Sequence, residues 1–429
     1  MFKILIFPAG TEIAFEIYHA LKYSKFVTLY GATSVDSHAE MLFSHYIKNI
    51  PFITDDDFIL QFNKVLEENE IDYIYPAYDD VQLFLSQNEN RLSAKLLSSP
   101  LETIEICRSK RNTYNFLKGE SFIPKVYYDF RKIDKYPVFV KPDIGQGSQG
   151  AVKITSLTPA SQQLMEDQNN VICEHLPGDE YTVDCFTDCS GKLILVAPRT
   201  RERIRSGISV RSRTLDTNKQ IYDIAKTLNG KLKFIGAWFF QLKEDPTGNL
   251  KLLEASARIS GTMGLTRNKG INFPLLTIWT FAGQSVKLIS NNNKVLVERA
   301  FISRYHHFDL DYDDVYVDLD DTLIVRNRVN LNLIRFLYQA VNENKKLHLL
   351  TRHEYDVIET LKNHRIAPEL FDTIKVMGRS ESKSSFIDSK KAIFIDDSFA
   401  ERLEVKEKLQ IPVFDVDMIE SLLDYREDI

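Results

Sequence analysis

Two stretches of this chain carry side chains at spacings suited to phosphate chemistry. The first is Pro137 to Ile154, PVFVKPDIGQGSQGAVKI, where an apolar β-type run (Val138, Phe139, Val140) meets Lys141 and then a loop containing Gly145, Gly147 and Gly150. Glycines free the backbone to turn several N–H groups onto one anion, Ser148 can add a hydroxyl donor, and the lysine adds charge. Because the lysine precedes the glycines, the stretch is neither a P-loop nor the GxGxxG that opens a helix. Taken alone it reads either as a phosphate cradle or as a hairpin turn with a surface lysine. The second is VYVDLDDTLIV, an apolar strand that runs into Asp318, Asp320 and Thr322. One carboxylate can attack phosphorus, and a second two residues away can protonate the leaving group and later activate water.

Further polar residues fall around these stretches. Gln241 and Glu254 lie on two apolar runs, FIGAWFFQL and LKLLEA, joined by the turn DPTGN. Opposed oxygen ligands on neighbouring strands suit Mg²⁺ when the ion also bridges phosphates. In PRTRERIRSGISVRSR, Arg199, Arg201, Arg203 and Arg205 recur with period two, and Arg211 and Arg213 follow a Ser206-Gly207 turn. As a strand this pattern puts the first four arginines on one side, a cationic patch for anions. Glu174 and Glu180 flank a Pro-Gly connector that could receive a nucleoside, or are plain surface residues. Asp79 and Asp80 suit a ligand site beyond a strand end and a helix N-cap equally.

The elements that must hold these residues follow the hydrophobic periodicity. Lys3 to Phe7, Val27 to Tyr30 and Ile71 to Tyr75 read as strands, with helices over Ile13 to Leu21 and Ile59 to Asn69. The alternation argues an open, largely parallel α/β sheet. Its first turn, PAGTEIA, has one glycine where a dinucleotide fingerprint needs three. Ser109 can cap a helix from Lys110 to about Leu117, and Lys110 in that first turn opposes the helix dipole unless it meets an anion. A hairpin is expected at Asn291 to Asn293, a solvated linker before Asp314, and a second set of strands and crossover helices from Asp318 onward.

The chain has 429 residues, 44% hydrophobic and 27% charged, with a net charge of −6. That composition suits a soluble globular protein of several domains, and the charge gives no pull toward nucleic acid or an anionic membrane. No apolar run reaches about 18 residues and no signal peptide is evident, so a cytoplasmic protein is expected. The four cysteines lack paired spacing and read as reduced thiols. His306 and His307 read as structural.

Across residues 1 to about 300 the ordered set Lys110, Lys141, Gly145 to Gly150, Glu174 to Leu176, Glu180, Gln241 and Glu254 resembles the ATP-grasp superfamily, in the branch similar to carbamoyl phosphate synthase and related carboxylate-amine ligases. The resemblance implies an N-terminal α/β domain (1 to 105) and a two-lobed ATP-grasp domain (106 to 303). It assigns Lys110 and Lys141 to phosphates, Gly145, Gly147, Ser148 and Gly150 to a loop over the triphosphate, Glu174 to Leu176 to adenine and Glu180 to ribose. Gln241 and Glu254 correspond to metal ligands. The family's E-x-N-x-R reads EASAR here, so Ser256 stands at a metal position usually held by Asn, while Arg258 matches. After a linker (304 to 314), residues 315 to 429 resemble the haloacid dehalogenase superfamily. That match implies Asp318 as nucleophile, Asp320 as acid and base, Thr351 and Lys383 as phosphoryl ligands, and Asp318, Asp320, Asp396 and Asp397 around Mg²⁺. The stretches 323 to 346 and 352 to 382 are too short for a large cap.

The resemblances together imply a multidomain α/β and α+β protein that uses ATP and Mg²⁺, with Mn²⁺ as an alternative ion. The implied chemistry is carboxylate activation as an acyl phosphate, amine attack, and hydrolysis of a phosphate monoester. The implied partners are a small carboxylate, an amine and a phosphorylated metabolite, and homodimers occur in relatives of the ligase half. Two other readings stay open: a ligase with a damage-control phosphatase, and a nucleotide-binding regulatory protein with one silent unit, which Ser256 favours.

Overall fold

The computed structural model describes residues 1–145, 147, 149–305, 307, 309–378 and 380–426. The chain divides into two compact units, Met1–Phe301 and Ile302–Ile429.

The first unit opens with β1 (Phe2–Phe7), α1 (Glu12–Leu21), β2 (Val27–Ala32), β3 (His45–Ile47), α2 (Phe58–Glu68), β4 (Tyr73–Pro76), α3 (Asp79–Gln87) and β5 (Lys95–Leu96). The strands form a parallel sheet in the order β3-β2-β1-β4-β5. Alternation of apolar strands with amphipathic helices requires this arrangement, because each crossover helix buries its apolar face on the sheet. Leu5, Phe7, Phe62 and Ile74 form the core there. Thr11 caps α1 by accepting from the Ala14 N–H at 3.1 Å. Two helices follow, α4 (Leu101–Arg108) and α5 (Lys110–Phe116), and Ser109 caps α5 as expected, accepting from the Asn112 N–H.

Next, β6 (Val126–Tyr127), β7 (Val138–Pro142), β8 (Val152–Ile154), α6 (Pro159–Glu166) and β9 (Asn170–Glu174) build a small lobe, its sheet ordered β6-β9-β7-β8. The glycine loop is therefore the β7-β8 connection. A second antiparallel sheet runs β11-β10-β14-β15, from β10 (Glu180–Thr187), β11 (Leu193–Thr200), β14 (Gly236–Glu244) and β15 (Leu250–Ser256). One face of this sheet is covered by α7 (Lys219–Leu232), whose Ile224, Ala225 and Leu228 join Val183, Trp238 and Phe240 in one core. Trp238 stacks on Phe234 with centroids 4.0 Å apart and donates to Thr187 Oγ1 at 2.8 Å, so its one polar atom is satisfied. The helices α8 (Gly264–Arg267) and α9 (Phe273–Phe281) complete the unit, and Arg267 ties α8 to Glu16 of α1.

Two sequence expectations are corrected here. The arginine array is not one continuous strand: β11 ends at Thr200, and a separate β12 (Arg203–Arg205) pairs with β13 (Ile208–Arg213) around the Ser206-Gly207 turn. The break separates the arginines, and acidic side chains in β10, in the β11-β12 connection and at Glu298 pair with five of them. Arg199 binds Asp184, Arg201 binds Glu180, Arg203 binds Glu298, and Arg211 and Arg213 bind Glu202. The patch is thus largely neutralised. Nor do Asn291 to Asn293 form a hairpin. The chain runs on without regular structure to β16 (Leu296–Glu298), which joins β13 antiparallel with Arg211 opposite Glu298.

The second unit has a parallel sheet ordered β21-β20-β17-β22-β23, from β17 (Asp314–Val317), β20 (Lys346–Thr351), β21 (Thr373–Val376), β22 (Ala392–Ile395) and β23 (Val413–Phe414). Between β17 and β20 come a short hairpin, β18 (Ile324–Val325) with β19 (Arg328–Val329), and α10 (Leu331–Asn342). Crossovers α11 (Val357–Asn363) and α12 (Phe399–Leu409) complete the pattern. Val315, Val317, Phe336, Leu337, Leu349 and Ile395 form its main core. Segment 323–346 holds the β18-β19 hairpin and α10, and segment 352–382 holds α11 and β21. Among the described residues no helix is long and apolar enough to cross a membrane, and all four cysteines are free thiols.

Candidate functional sites

In the first unit, residues from five separate segments converge on one cavity. Lys110 enters from α5, Lys141 from β7, Gly145 and Gly147 from the glycine loop, Glu174, Leu176 and Glu180 from the β9-β10 connection, and Gln241 and Glu254 from β14 and β15. Gln241 and Glu254 are direct cross-strand partners in the antiparallel register. Their side chains therefore leave the sheet on the same face, a few ångströms apart.

Lys141 is 8% exposed, and its Nζ donates to Tyr114 Oη at 2.7 Å and to the Leu253 carbonyl at 3.1 Å. Neither contact is a carboxylate. Burial pushes this ammonium below its usual pKa, so the lysine holds its charge at a cost that an anion in the cavity would offset. Lys110 Nζ likewise donates to a carbonyl, that of Asp143, at 3.2 Å. Glu180 is bound by Arg201 at 2.6 Å and Lys243 at 3.3 Å, and Glu174 accepts from the Lys125 N–H at 2.8 Å. Gly150 lies at the far end of the loop against Pro142, and Ser148 lies outside the described residues.

A second cavity adjoins the first, sharing Lys110, Gly145, Gly147, Arg201, Gln241 and Glu254 with it. It extends to Thr11, Asp79, Ser256, Arg258 and Ser260. Ser256 and Arg258 both turn to Asp79. The serine hydroxyl donates at 3.3 Å, and the guanidinium makes a bidentate pair at 2.7 and 2.6 Å. Asp79 is therefore neither an N-cap nor a free ligand; Tyr78 holds the cap position of α3, and Asp80 pairs with Arg108. Tyr114 and Lys243 are site residues that the spacing did not single out. Arg201 lay inside the arginine array, but its partner Glu180 is 21 positions earlier, and nothing local marks the pairing.

In the second unit, the carboxyl ends of neighbouring parallel strands carry Asp318 after β17, Thr351 at the end of β20 and Asp396 after β22. This is where open α/β sheets place ligands. Lys383 Nζ lies 2.6 Å from Asp318 Oδ1 and 2.5 Å from Asp396 Oδ2, and all three groups are nearly inaccessible. Burial, with Asp396 nearby, raises the Asp318 carboxyl to about 7 despite the lysine. Oxygen atoms of Asp318, Asp396 and Asp397 lie within 4.8 Å of one another, a donor set suited to a hard divalent cation. Thr322 fixes Asp397, accepting from its N–H at 2.9 Å and donating to its Oδ1 at 3.1 Å. Asp320, expected in the same cation group, is not part of this trio. Its carboxylate is 51% exposed and paired with His353 at 2.9 Å. His353 was missed because it shares no local spacing with Asp320. His307 bonds Ser421 at 2.9 Å, and His306 lies outside the described residues.

A family profile described as "ATP-grasp in the biosynthetic pathway with Ter operon" matches residues 166–300. No curated protein matches the chain. Among solved structures, the chain is similar to the biotin carboxylase domain of Hydrogenobacter thermophilus 2-oxoglutarate carboxylase, solved as a dimer with MgADP, ADP and bicarbonate. The TM-score is 0.57 at 17% identity, covering 68% of this chain and 73% of that one. It is also similar to N5-carboxyaminoimidazole synthetase from Staphylococcus aureus complexed with ADP (TM-score 0.54, 14% identity, 67% of this chain and 78% of that one). A third is the L-amino acid ligase of Bacillus licheniformis (TM-score 0.52, 17% identity, 65% and 73%).

Proposed function

We propose that the first unit, whose residues 166–300 match an ATP-grasp family profile, is an ATP- and Mg²⁺-dependent carboxylate-amine ligase. The observation that carries this reading is the convergence of Lys110, Lys141, Glu180, Gln241 and Glu254 on one cavity that opens into a second, polar one. When bound, MgATP supplies the γ-phosphoryl group that turns a carboxylate into an acyl phosphate open to attack by an amine. Lys141 and Lys110 would neutralise phosphate charge, Glu180 would take ribose hydroxyls, and the segment Glu174 to Leu176 would receive the base. Gln241 and Glu254 present the oxygens for Mg²⁺. Such transfer depends on positioning and charge stabilisation more than on covalent help from the protein. The adjoining cavity would seat the acceptor.

The second unit we read as a Mg²⁺-dependent phosphomonoesterase of haloacid dehalogenase type. Asp318, Asp396 and Asp397 would hold Mg²⁺, which would offset repulsion between carboxylates and the phosphoryl group. Asp318 is the nucleophile, Asp320 the acid and base, and Thr351 and Lys383 bind phosphoryl oxygens. The test is release of ADP from MgATP over pooled carboxylates and amines and of phosphate from added phosphoesters, with wild type, Lys141→Ala and Asp318→Asn in parallel. The expected result is ADP release that needs a carboxylate and an amine together and disappears only in Lys141→Ala, and phosphoester hydrolysis that disappears only in Asp318→Asn. No stimulation of ADP release by any pool would sink the ligase reading.

One observation favours a second reading, nucleotide binding without turnover in the first unit. Ser256 replaces the expected asparagine and its hydroxyl is engaged by Asp79, which leaves a cation fewer side-chain ligands. Nucleotide binding with no ADP release in the same assay would select it.

A further inference from the structure

His353 lies outside the residues whose spacing pointed to phosphate chemistry, yet it touches two of them. Its Nδ1 is 2.9 Å from each carboxylate oxygen of Asp320, its Nε2 is 2.8 Å from Thr360 Oγ1, and its backbone N–H donates to Thr351 Oγ1 at 3.1 Å. Nδ1 faces the Asp320 carboxyl while Thr360 fixes the opposite ring nitrogen, so the imidazole is held at both nitrogens. The imidazole is 9% exposed while the Asp320 side chain is 51% exposed. A packed ring therefore holds a solvated carboxylate. Thr360 sits on α11, whose start is fixed by Asp356 accepting from the N–H groups of Ile358 and Glu359. The orientation of Asp320 is thus tied, through one ring, to a capped helix.

We propose that His353 is the positioning residue for Asp320 in phosphoester hydrolysis, an inference that rests on the phosphomonoesterase reading of the second unit. Without the ring, an exposed aspartate has three staggered χ1 wells to occupy. A general acid works only within hydrogen-bond reach of the oxygen it protonates. In the first step an Asp318 oxygen bonds to phosphorus, the ester P–O bond breaks, and the Asp320 proton moves to the departing oxygen, releasing an alcohol. In the second, water adds to phosphorus and returns a proton to Asp320 while the bond from phosphorus to Asp318 breaks, releasing phosphate. Through both, His353 holds the Asp320 carboxylate through Nδ1, while each carboxylate oxygen keeps a further lone pair for the moving proton.

The experiment is steady-state hydrolysis, by the full chain with Mg²⁺, of p-nitrophenyl phosphate, whose leaving group needs little protonation, and of β-glycerophosphate, whose alkoxide needs a proton. Wild type is compared with His353→Gln, with His353→Asn, whose amide falls near the Nδ1 position, and with Asp318→Asn. We expect His353→Gln to lower kcat on β-glycerophosphate by about 10-fold or more, within the range of general acid catalysis, with KM little changed. The loss on p-nitrophenyl phosphate should be much smaller, and His353→Asn should recover most of the rate. Binding of Mg²⁺ and beryllofluoride, an aspartyl phosphate mimic, should be unchanged in His353→Gln and reports that the unit is folded. An equal loss on both esters, or none, overturns the positioning role. If wild type shows no Asp318-dependent hydrolysis of either ester, the phosphomonoesterase reading fails and takes this inference with it.

Discussion

Arg258 shows how a residue legible as catalytic can be held by a structural partner. Its Nε and Nη2 donate to the two oxygens of Asp79 and its Nη1 to the Ile259 carbonyl at 3.0 Å, so every nitrogen already has an acceptor. The pair joins the start of α3 in the parallel sheet to the end of β15. Burial by itself pushes the Asp79 carboxyl up, but Arg258, with Arg108 and the Ser256 hydroxyl, outweighs it and holds the carboxyl below its usual range. A carboxyl depressed in the folded state adds stability above its unfolded pKa of about 3.9, and that contribution is lost as pH falls through the folded value. Asp79→Asn should therefore cost roughly 3–5 kcal/mol in urea unfolding near neutral pH, since it leaves a mostly buried guanidinium uncompensated. The gap to wild type should hold between about pH 5 and 8 and narrow below about pH 4. A gap that persisted at acid pH would show that the charge on Asp79 is not what stabilises the join.

At the scale of elements, the glycine loop and the β12-β13 turn work as a pair. Gly147 has φ +63° and Gly207 φ +74°, and a Cβ on Gly207 would fall 2.0 Å from the Gly147 carbonyl carbon. Arg201 pins the turn, donating to the Gly207 carbonyl at 2.9 Å while it also pairs with Glu180 and donates to Thr182 Oγ1. Gly207→Ala meets both a steric limit and backbone strain of about 1–3 kcal/mol. It should force the two loops apart and weaken MgADP binding by about tenfold, equivalent to about 1.4 kcal/mol. Gly191 is the comparison, with φ +82° and nothing within 4 Å of an added Cβ. Gly191→Ala carries the strain alone and should leave affinity intact; equal affinities in both variants would refute the pairing. The glycines and Lys141 could be read from sequence because strand, lysine and loop are contiguous. Likewise the pairing of Gln241 with Glu254 follows from one tight turn between two apolar runs. The fate of the arginines could not be read, because period two presumes one unbroken strand. Their partners Asp184, Glu180 and Glu298 come from other elements. His353 escaped notice for the same reason, since its ring meets Asp320 only after β17 and β20 pair side by side.

At the scale of the molecule, each unit closes its own cores. Trp238, Phe240 and Leu228 belong to the first and Val317, Phe336 and Ile395 to the second. The sequence announced this division through a second run of apolar strands beginning after a polar segment with Asp309, Asp311, Asp313 and Asp314. Units with separate cores and complete strand ladders can melt as separate cooperative transitions. Calorimetry of the full chain should therefore resolve two. A ligand that binds one native unit adds RT ln(1 + [L]/Kd) to that unit alone, about 2.7 kcal/mol at a hundredfold excess over Kd. MgADP should raise one transition and leave the other in place, while Mg²⁺ with beryllofluoride should do the reverse, and Lys141→Ala and Asp318→Asn should abolish these shifts selectively. Independent shifts would mean that the two units share a chain without sharing stability. A single transition moved by both ligands would mean instead that occupancy of one unit is felt by the other, and that the fusion regulates.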